Sequence, residues 1–292
     1  MEERLPGGAM SVKYFGAHVS VAGGFENAIG NAEALGVNAI QVHPSPPQRW
    51  NGKPYADGYE DKFLEAKSAS GVEKVFFHAI YLINLVTPDP IKLEKAKTSL
   101  IHYLNLSARI DGEGVIVHVG SLKDEPDDLK GYKRAAKAID EIFEKSDPKS
   151  NLILEVAAGA GKVVGSKTEE LQTIFEHVKD TERLGFGLDT QHMWASGYDF
   201  RENLYDVVDE IETNFSFDKV WCVHLNDSKT ELGSKKDRHE NLGDGLIGET
   251  ALREFLKLPE LEEIPVILET PALKEIETAK GEVDNLRALL GQ

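Results

Sequence analysis

Short runs of branched and aromatic apolar residues alternate, eight times over, with longer stretches that carry apolar side chains at helical spacing. Such runs read as buried strands, and strands separated by amphipathic helices read as β–α units feeding a parallel sheet. The runs are KYFGAH, NAIQVH, KVFFH, GVIVH, NLILE, GFGLD, KVWCVH and IPVILE, ending at His18, His43, His78, His118, Glu155, Asp189, His224 and Glu269. Helical patterns between them include Leu100, Tyr103, Leu104 and Ala108, or Ala135, Ala138, Ile139 and Ile142. Gly23 and Gly24 precede the first helix, and Gly36 and Gly185 stand where a helix must give way to a strand. Asp111 and Gly112 turn the chain before the fourth run. Eight units in 292 residues predict an α/β fold, a single (β/α)8 TIM barrel, whose active site forms at the C-terminal ends of the strands.

No linker, low-complexity segment or shift in composition divides the chain, so residues 12–292 are expected to form one domain. Residues 1–11 read as a flexible tail, because Pro6, Gly7 and Gly8 precede the first apolar run. No window approaches the roughly 18 apolar residues of a spanning helix, and MEERLPGGAM lacks the apolar segment of a secretory signal. A cytoplasmic protein without a membrane partner is expected. The one cysteine, Cys222, rules out an internal disulfide or a CxxC zinc motif. It shares strand parity with His224 and is expected to pack inside the barrel. A net charge of −17 argues against nucleic-acid binding over the whole surface, but not against a locally positive cleft.

A polar residue after an apolar strand is an ordinary way for a strand to meet solvent, so no single strand end carries an argument. The set does. Glu155, Asp189, His224 and Glu269 close four successive runs, and carboxylates with imidazole suit one Zn, Mn or Mg ion. His78 and His118 add to the same face, His192 follows Asp189 in DTQH, and Asp237 and His239 lie in the loop beyond the seventh run. Nine ligands are too many for one ion and imply two or three. Three divalent ions would bring about +6 against about −4 from four carboxylates, leaving the site positive. Several ions with open positions stabilise both oxygens of a phosphoryl displacement, so phosphate ester hydrolysis is the chemistry that fits best. Lys229, Lys235, Lys236 and Arg238 form a basic loop beside them, suited to backbone phosphates.

The segments GAHVSVAGG (16–24), HAIYLINL (78–85), VHVGS (117–121), LEVAAGAG (154–161), GLDTQHMWASGYD (187–199), VHLNDSKTELGSKKDRHENLGDGLIG (223–248) and ILET (267–270) carry a resemblance to a known family. From Tyr14 to about Leu290 the chain resembles the endonuclease IV family of apurinic/apyrimidinic endonucleases. The resemblance implies three Zn2+ per chain, which Mn2+ can replace. One ion would take His78, His118 and a bridging Glu155; a second Glu155, Asp189, His224 and Glu269; a third His192, Asp237 and His239. It implies a monomer that incises double-stranded DNA 5′ to abasic sites, and trims blocked 3′ ends, in base excision repair. Glu155 and Glu269 would be catalytic, and Tyr81 would stand beside the abasic sugar. Asp227 is a candidate to orient a ligand imidazole, and His18 a weaker one to support the site. His43 is not a family ligand, and His102 and His177 read as surface or packing residues.

Several positions depart from the family. HPSPPQRW (43–50) replaces a polar DNA-probing loop with a stiff, proline-rich one, although Gln48 and Arg49 could still reach DNA. Val156 and Ala157 replace Asn-Thr after Glu155, Gln191 replaces a smaller residue, and Ala79 replaces an acid after His78. Two rival readings remain open. One is a sugar isomerase or epimerase of the xylose isomerase-like barrels, which needs only Glu155, Asp189, His224 and Glu269. The other is an abasic-DNA-binding protein that has lost catalysis.

Overall fold

The chain begins β1 (Phe15–His18), α1 (Asn27–Leu35), β2 (Ala39–Val42), α2 (Tyr59–Ser68), β3 (Lys74–His78), α3 (Pro90–Arg109), β4 (Gly114–Val117), α4 (Asp128–Phe143), β5 (Leu152–Glu155) and α5 (Thr168–Phe175). It continues β6 (Leu184–Asp189), α6 (Thr190–Ser196), α7 (Leu204–Asn214), β7 (Val220–His224), β8 (Asp227–Ser228), β9 (His239–Glu240), α8 (Glu249–Leu256), β10 (Val266–Leu268) and α9 (Ile276–Leu290). The structure is a computed structural model describing residues 12–45, 50 and 58–292. The N-terminal tail, Gln48 and Arg49 lie outside the described residues.

Eight of the strands are parallel and close into a barrel, β1 pairing with both β2 and β10. The predicted strand ends hold to within one residue: β2, β4 and β10 stop one short of His43, His118 and Glu269. One face of each strand looks inward, where Tyr14, Ala39, Phe76, Ile116, Ile153, Cys222 and Ile267 pack as a buried layer. Cys222 is therefore interior packing, as its parity required. The other face meets the helices, for example Val75, Phe77, Val115, Val117, Leu152 and Leu154.

Local chemistry explains the helix boundaries. Asp89 accepts from the backbone N–H of Ile91 and Lys92, at 2.9 and 3.2 Å, and Pro90 opens α3 where no intrahelical donor is needed. Leu100, Tyr103 and Leu104 are buried as their spacing predicts, but the stripe continues through Leu106 and Ser107, with Ala108 only half-buried. In α4 all four predicted positions are buried. Gly36 ends α1 in the left-handed region (φ 68°), which glycine alone adopts without strain.

Two expectations need correction, and one short pair of strands is added to them. Gly185 does not mark a helix end; it lies within β6, where a Cβ would come 2.4 Å from the Trp221 ring. The sixth unit carries two helices, α6 and α7, instead of one. After β7 the chain forms an antiparallel pair, β8 with β9, which periodicity could not reveal because each strand has two residues. No described helix is long and apolar enough to cross a membrane.

Candidate metal centre

Strand periodicity of two builds the centre directly from the interior layer. One inward step beyond Phe76, Ile116, Ile153, Cys222 and Ile267 come His78, His118, Glu155, His224 and Glu269. Asp189, at the end of β6, is in register with His224. Neighbouring strands lie about 4.8 Å apart, so side chains at one height on adjacent strands must touch. Their ligand atoms form three groups, each within 4.8 Å: His78, His118 and Glu155; Glu155, Asp189, His224 and Glu269; and Asp189, His192 and His239.

Two further ligands arrive by local devices. Asp189 is the N-cap of α6, and its Oδ1 accepts from the His192 N–H at 2.8 Å, which turns His192 toward the centre. The other oxygen, Oδ2, remains for the ligand groups. The β8–β9 pair sets Ser228 against His239 and carries that histidine from the distant loop back to the barrel mouth. Asp237, on the exposed edge of the loop, stands 3.5 Å from His192 Nε2 and 3.4 Å from His239 Nε2. It flanks the third group, while Asp189 occupies its interior.

The hydrogen-bond pattern fits bound cations. His78 Nδ1 lies 2.8 Å from Ala79 O, His192 Nδ1 3.2 Å from Val156 O, and His239 Nδ1 3.1 Å from Glu269 O. A carbonyl only accepts, so each Nδ1 carries a proton, and the neutral form of each ring would turn its Nε2 lone pair inward. Those lone pairs face acceptors. His78 Nε2 is 3.0 Å and His118 Nε2 3.2 Å from the same oxygen of Glu155. Electron pairs at such distances repel unless positive charge lies between them. Glu155 and Asp189 are fully buried, and buried carboxylates persist only when paired or bound to metal. Imidazole with carboxylate is a donor set that zinc accepts.

In the metal-free protein, protons take part of that role. Burial pushes the Glu155 carboxyl up, but His118, His224 and His192 outweigh it and hold its pKa well below the usual range. Burial lowers His224, yet Glu269 and Glu155 raise it well above its ordinary value, and Asp189 and Asp237 do the same for His192. His118 falls to about 4, chiefly by burial.

Amides missing from the sequence reading brace the ligands. Gln41, fully buried in β2, contacts Glu269, His224 and His18. Asn226 Nδ2 donates to Asp189 Oδ2 at 2.8 Å, and its Oδ1 accepts from the Glu269 N–H at 3.0 Å. Asp227 was the expected orienting group, but it touches no ligand imidazole. Its carboxylate accepts from the backbone N–H of Ser228, Gly243, Gly245, Ile247 and Gly248, gathering the loop around β9. An acceptor-only carboxylate could also have received an imidazole N–H, but both of its oxygens are occupied by these loop N–H groups.

Other expected residues fall on the rim. Tyr81 is 66% exposed, its ring 6.3 Å from those of His78 and His43. His43 Nδ1 donates to His78 O at 3.2 Å, and its ring lies 4.5 Å from that of His18. Lys229, Lys235, Lys236 and Arg238 are exposed. Gln191 anchors their loop, donating to Ser228 Oγ at 3.2 Å and Lys236 O at 3.0 Å. Val156 and Ala157 contribute carbonyls, to His192 and Ser196 respectively. His102 and His177 are exposed.

Residues 29–289 match the family model described as xylose isomerase-like TIM barrel. The chain is 36% identical over 262 residues to a probable endonuclease 4 of Trichlorobacter lovleyi, covering 88% of this chain and 92% of that protein. The crystal structure of endonuclease IV from Thermus thermophilus superposes with a TM-score of 0.84 at 32% identity, covering 95% and 99% of the two chains. A D-tagatose 3-epimerase-like protein superposes at 0.73 with 18% identity over 95% of this chain and 97% of that one, a likeness of fold alone.

Proposed function

The chain belongs to the endonuclease IV family of xylose isomerase-like TIM barrels, and from that premise we propose how it cuts DNA. It is an apurinic/apyrimidinic endonuclease, a phosphodiesterase acting in DNA repair. The proposal concerns its ions, its residues and its lesion: three Zn2+ at the barrel mouth, and hydrolysis of the phosphodiester 5′ to an abasic sugar in double-stranded DNA. Blocked 3′ ends present the same bond to the same site and are included.

One observation carries the reading. Among the described residues the ligand groups are three, and they share Glu155 and Asp189. A one-metal sugar isomerase needs only Glu155, Asp189, His224 and Glu269, and leaves His78, His118, His192 and His239 without a role.

His78, His118 and Glu155 would hold the first ion, Glu155, Asp189, His224 and Glu269 the second, and His192, His239 and Asp237 the third, with Asp189 beside them. When bound, zinc supplies Lewis-acid neutralisation of the phosphate and lowers the pKa of water. Glu155 directs Oε2 at His78 and His118 and Oε1 at His224, which makes it the bridge between two groups. Burial of Glu155 and Asp189 keeps water from screening them, so their fixed negative charges would hold cations strongly, and it is those cations that would offset the repulsion of a phosphate at the mouth. Tyr81, exposed on the rim, stands where a deoxyribose without a base would lean. Lys229, Lys235, Lys236 and Arg238 neutralise flanking phosphates and fix the register of the strand. Gln48 and Arg49 would add to the DNA contacts. All nine ligands come from one chain, so a monomer suffices.

Glu269→Gln tests these roles. It removes one charge from the second group and should lower incision at least about 10²–10³-fold while binding to abasic duplex stays measurable. Near-normal turnover would refute the ligand assignment. Tight binding without product by the metal-loaded wild-type protein would favour a DNA-binding protein without catalysis.

A further inference from the structure

Gln41 is the one amide in the apolar stretch AIQV of β2, and the whole strand is buried. Its position follows from parity: Ala39 lies in the interior layer, so Gln41 is the next side chain up, level with the ligands. Nε2 lies 2.5 Å from Glu269 Oε1 and 3.1 Å from His18 Nδ1, and Oε1 lies 2.7 Å from His224 Nε2.

These contacts admit one arrangement. An ionised carboxylate only accepts, so the amide nitrogen must face Glu269 and the amide oxygen must face His224. That oxygen also only accepts, so His224 Nε2 carries a proton. In the neutral ring that a cation would bind, the lone pair is therefore on Nδ1, which points at Glu155 Oε1 from 2.8 Å and at Glu269 Oε2 from 3.4 Å. Nδ1 is the nitrogen that belongs to the four-residue group. His78, His192 and His239 have their protonated nitrogen fixed by backbone carbonyls; His224 has no such carbonyl and depends on a side chain.

We propose that Gln41 is a positioning residue, whose amide selects the His224 tautomer and holds the Glu269 carboxylate in the orientation that a divalent cation in the second group requires. This rests on the metal reading above. His18 completes the device, because its Nδ1 takes the remaining amide proton and keeps Gln41 from turning over.

The test strips the full-length protein with chelator and titrates it with Co2+. Affinity is read by competition with a chromophoric chelator, and geometry by the visible ligand-field bands. Gln41→Met keeps the length and removes both polar contacts. It should weaken one class of Co2+ site about 10–100-fold and change its bands, leaving the other classes and the metal-free circular dichroism as in wild type. Gln41→Glu keeps the shape but turns an acceptor toward Glu269, and carries the same expectation, so a folding failure of either leaves the other to decide. Wild-type affinity and bands in a folded variant would overturn the proposal. So would an equal loss at every site with a lowered melting temperature of the metal-free protein, which marks packing alone. Failure of the wild-type protein to take up Co2+ would sink the metal reading itself, and it needs no variant to detect.

Discussion

His192 Nε2 and His239 Nε2 lie 3.4 Å apart, each ring having its Nδ1 against a backbone carbonyl. With those Nδ1 positions taken, the two Nε2 atoms point at each other and at the carboxylates of Asp189 and Asp237, an arrangement that requires positive charge between them. A cation relieves the contact. His239→Ala should therefore lower the metal content by about one ion per chain, measured by elemental mass spectrometry on protein freed of loose metal. An unchanged content would remove His239 from the ligand set.

Stability of the metal-free protein should depend on pH with a maximum near neutrality. Burial lowers His18 to about 3 and His118 to about 4, from an ordinary 6.5. Below pH 6.5 the unfolded chain thus holds more protons at these positions, and stability falls with acid. For Glu269, burial is outweighed by His224 and His78, which hold it at about 2, so its contribution is also lost as pH falls from 4.5 toward 2. His192 and His224 have the opposite sign: raised above 6.5, their contribution is complete below that value and lost as pH climbs through the raised pKa. Saturating zinc should remove the alkaline decline, because ions replace those protons. Thermal melts at stepped pH, with and without zinc, check this; a metal-free profile that rises steadily with pH would contradict it.

The basic loop should act through salt-sensitive contacts. Against a net charge of −17, Lys235 and Lys236 are exposed cations beside the mouth. Removing both by Lys→Ala should reduce the slope of log affinity against log salt by about 1.8, at about 0.9 per phosphate contact. Fluorescence anisotropy with a labelled abasic duplex measures the slope, and an unchanged slope would place these lysines away from the DNA.

Gly185 should be intolerant of a methyl group, since a Cβ would meet the Trp221 ring at 2.4 Å. Gly185→Ala should cost about 1–3 kcal/mol by overpacking. Trp221→Ala in the same chain should recover part of the loss in a urea titration. Additive losses would show that the two side chains do not compete for that space.

The barrel and its ligand-bearing strand ends were legible because a single rule produces both. A buried strand alternates faces, and the first polar residue after its apolar run meets the mouth, as Ile153 followed by Glu155 and Cys222 followed by His224 illustrate. Gln41 left a weaker trace. An amide at an inward position of an apolar strand is a signal, but its partners lie 183 and 228 residues away, at His224 and Glu269. Between adjacent Asn226 and Asp227, composition cannot tell which faces the ions; the short β8–β9 pair decides, sending Asp227 into the loop and leaving Asn226 against Asp189. Gly185 looked like a turn because its cause, Trp221, is on a neighbouring strand.

The most direct measurement is incision of a duplex carrying one tetrahydrofuran abasic analogue, with metal-loaded protein, with chelator, and with zinc restored. Cleavage should fall immediately 5′ to the analogue, leave a 3′-hydroxyl, stop with chelator and return with zinc. Product that persists undiminished in chelator, or no product from protein holding its full complement of ions, would contradict a metal-dependent cut at the barrel mouth.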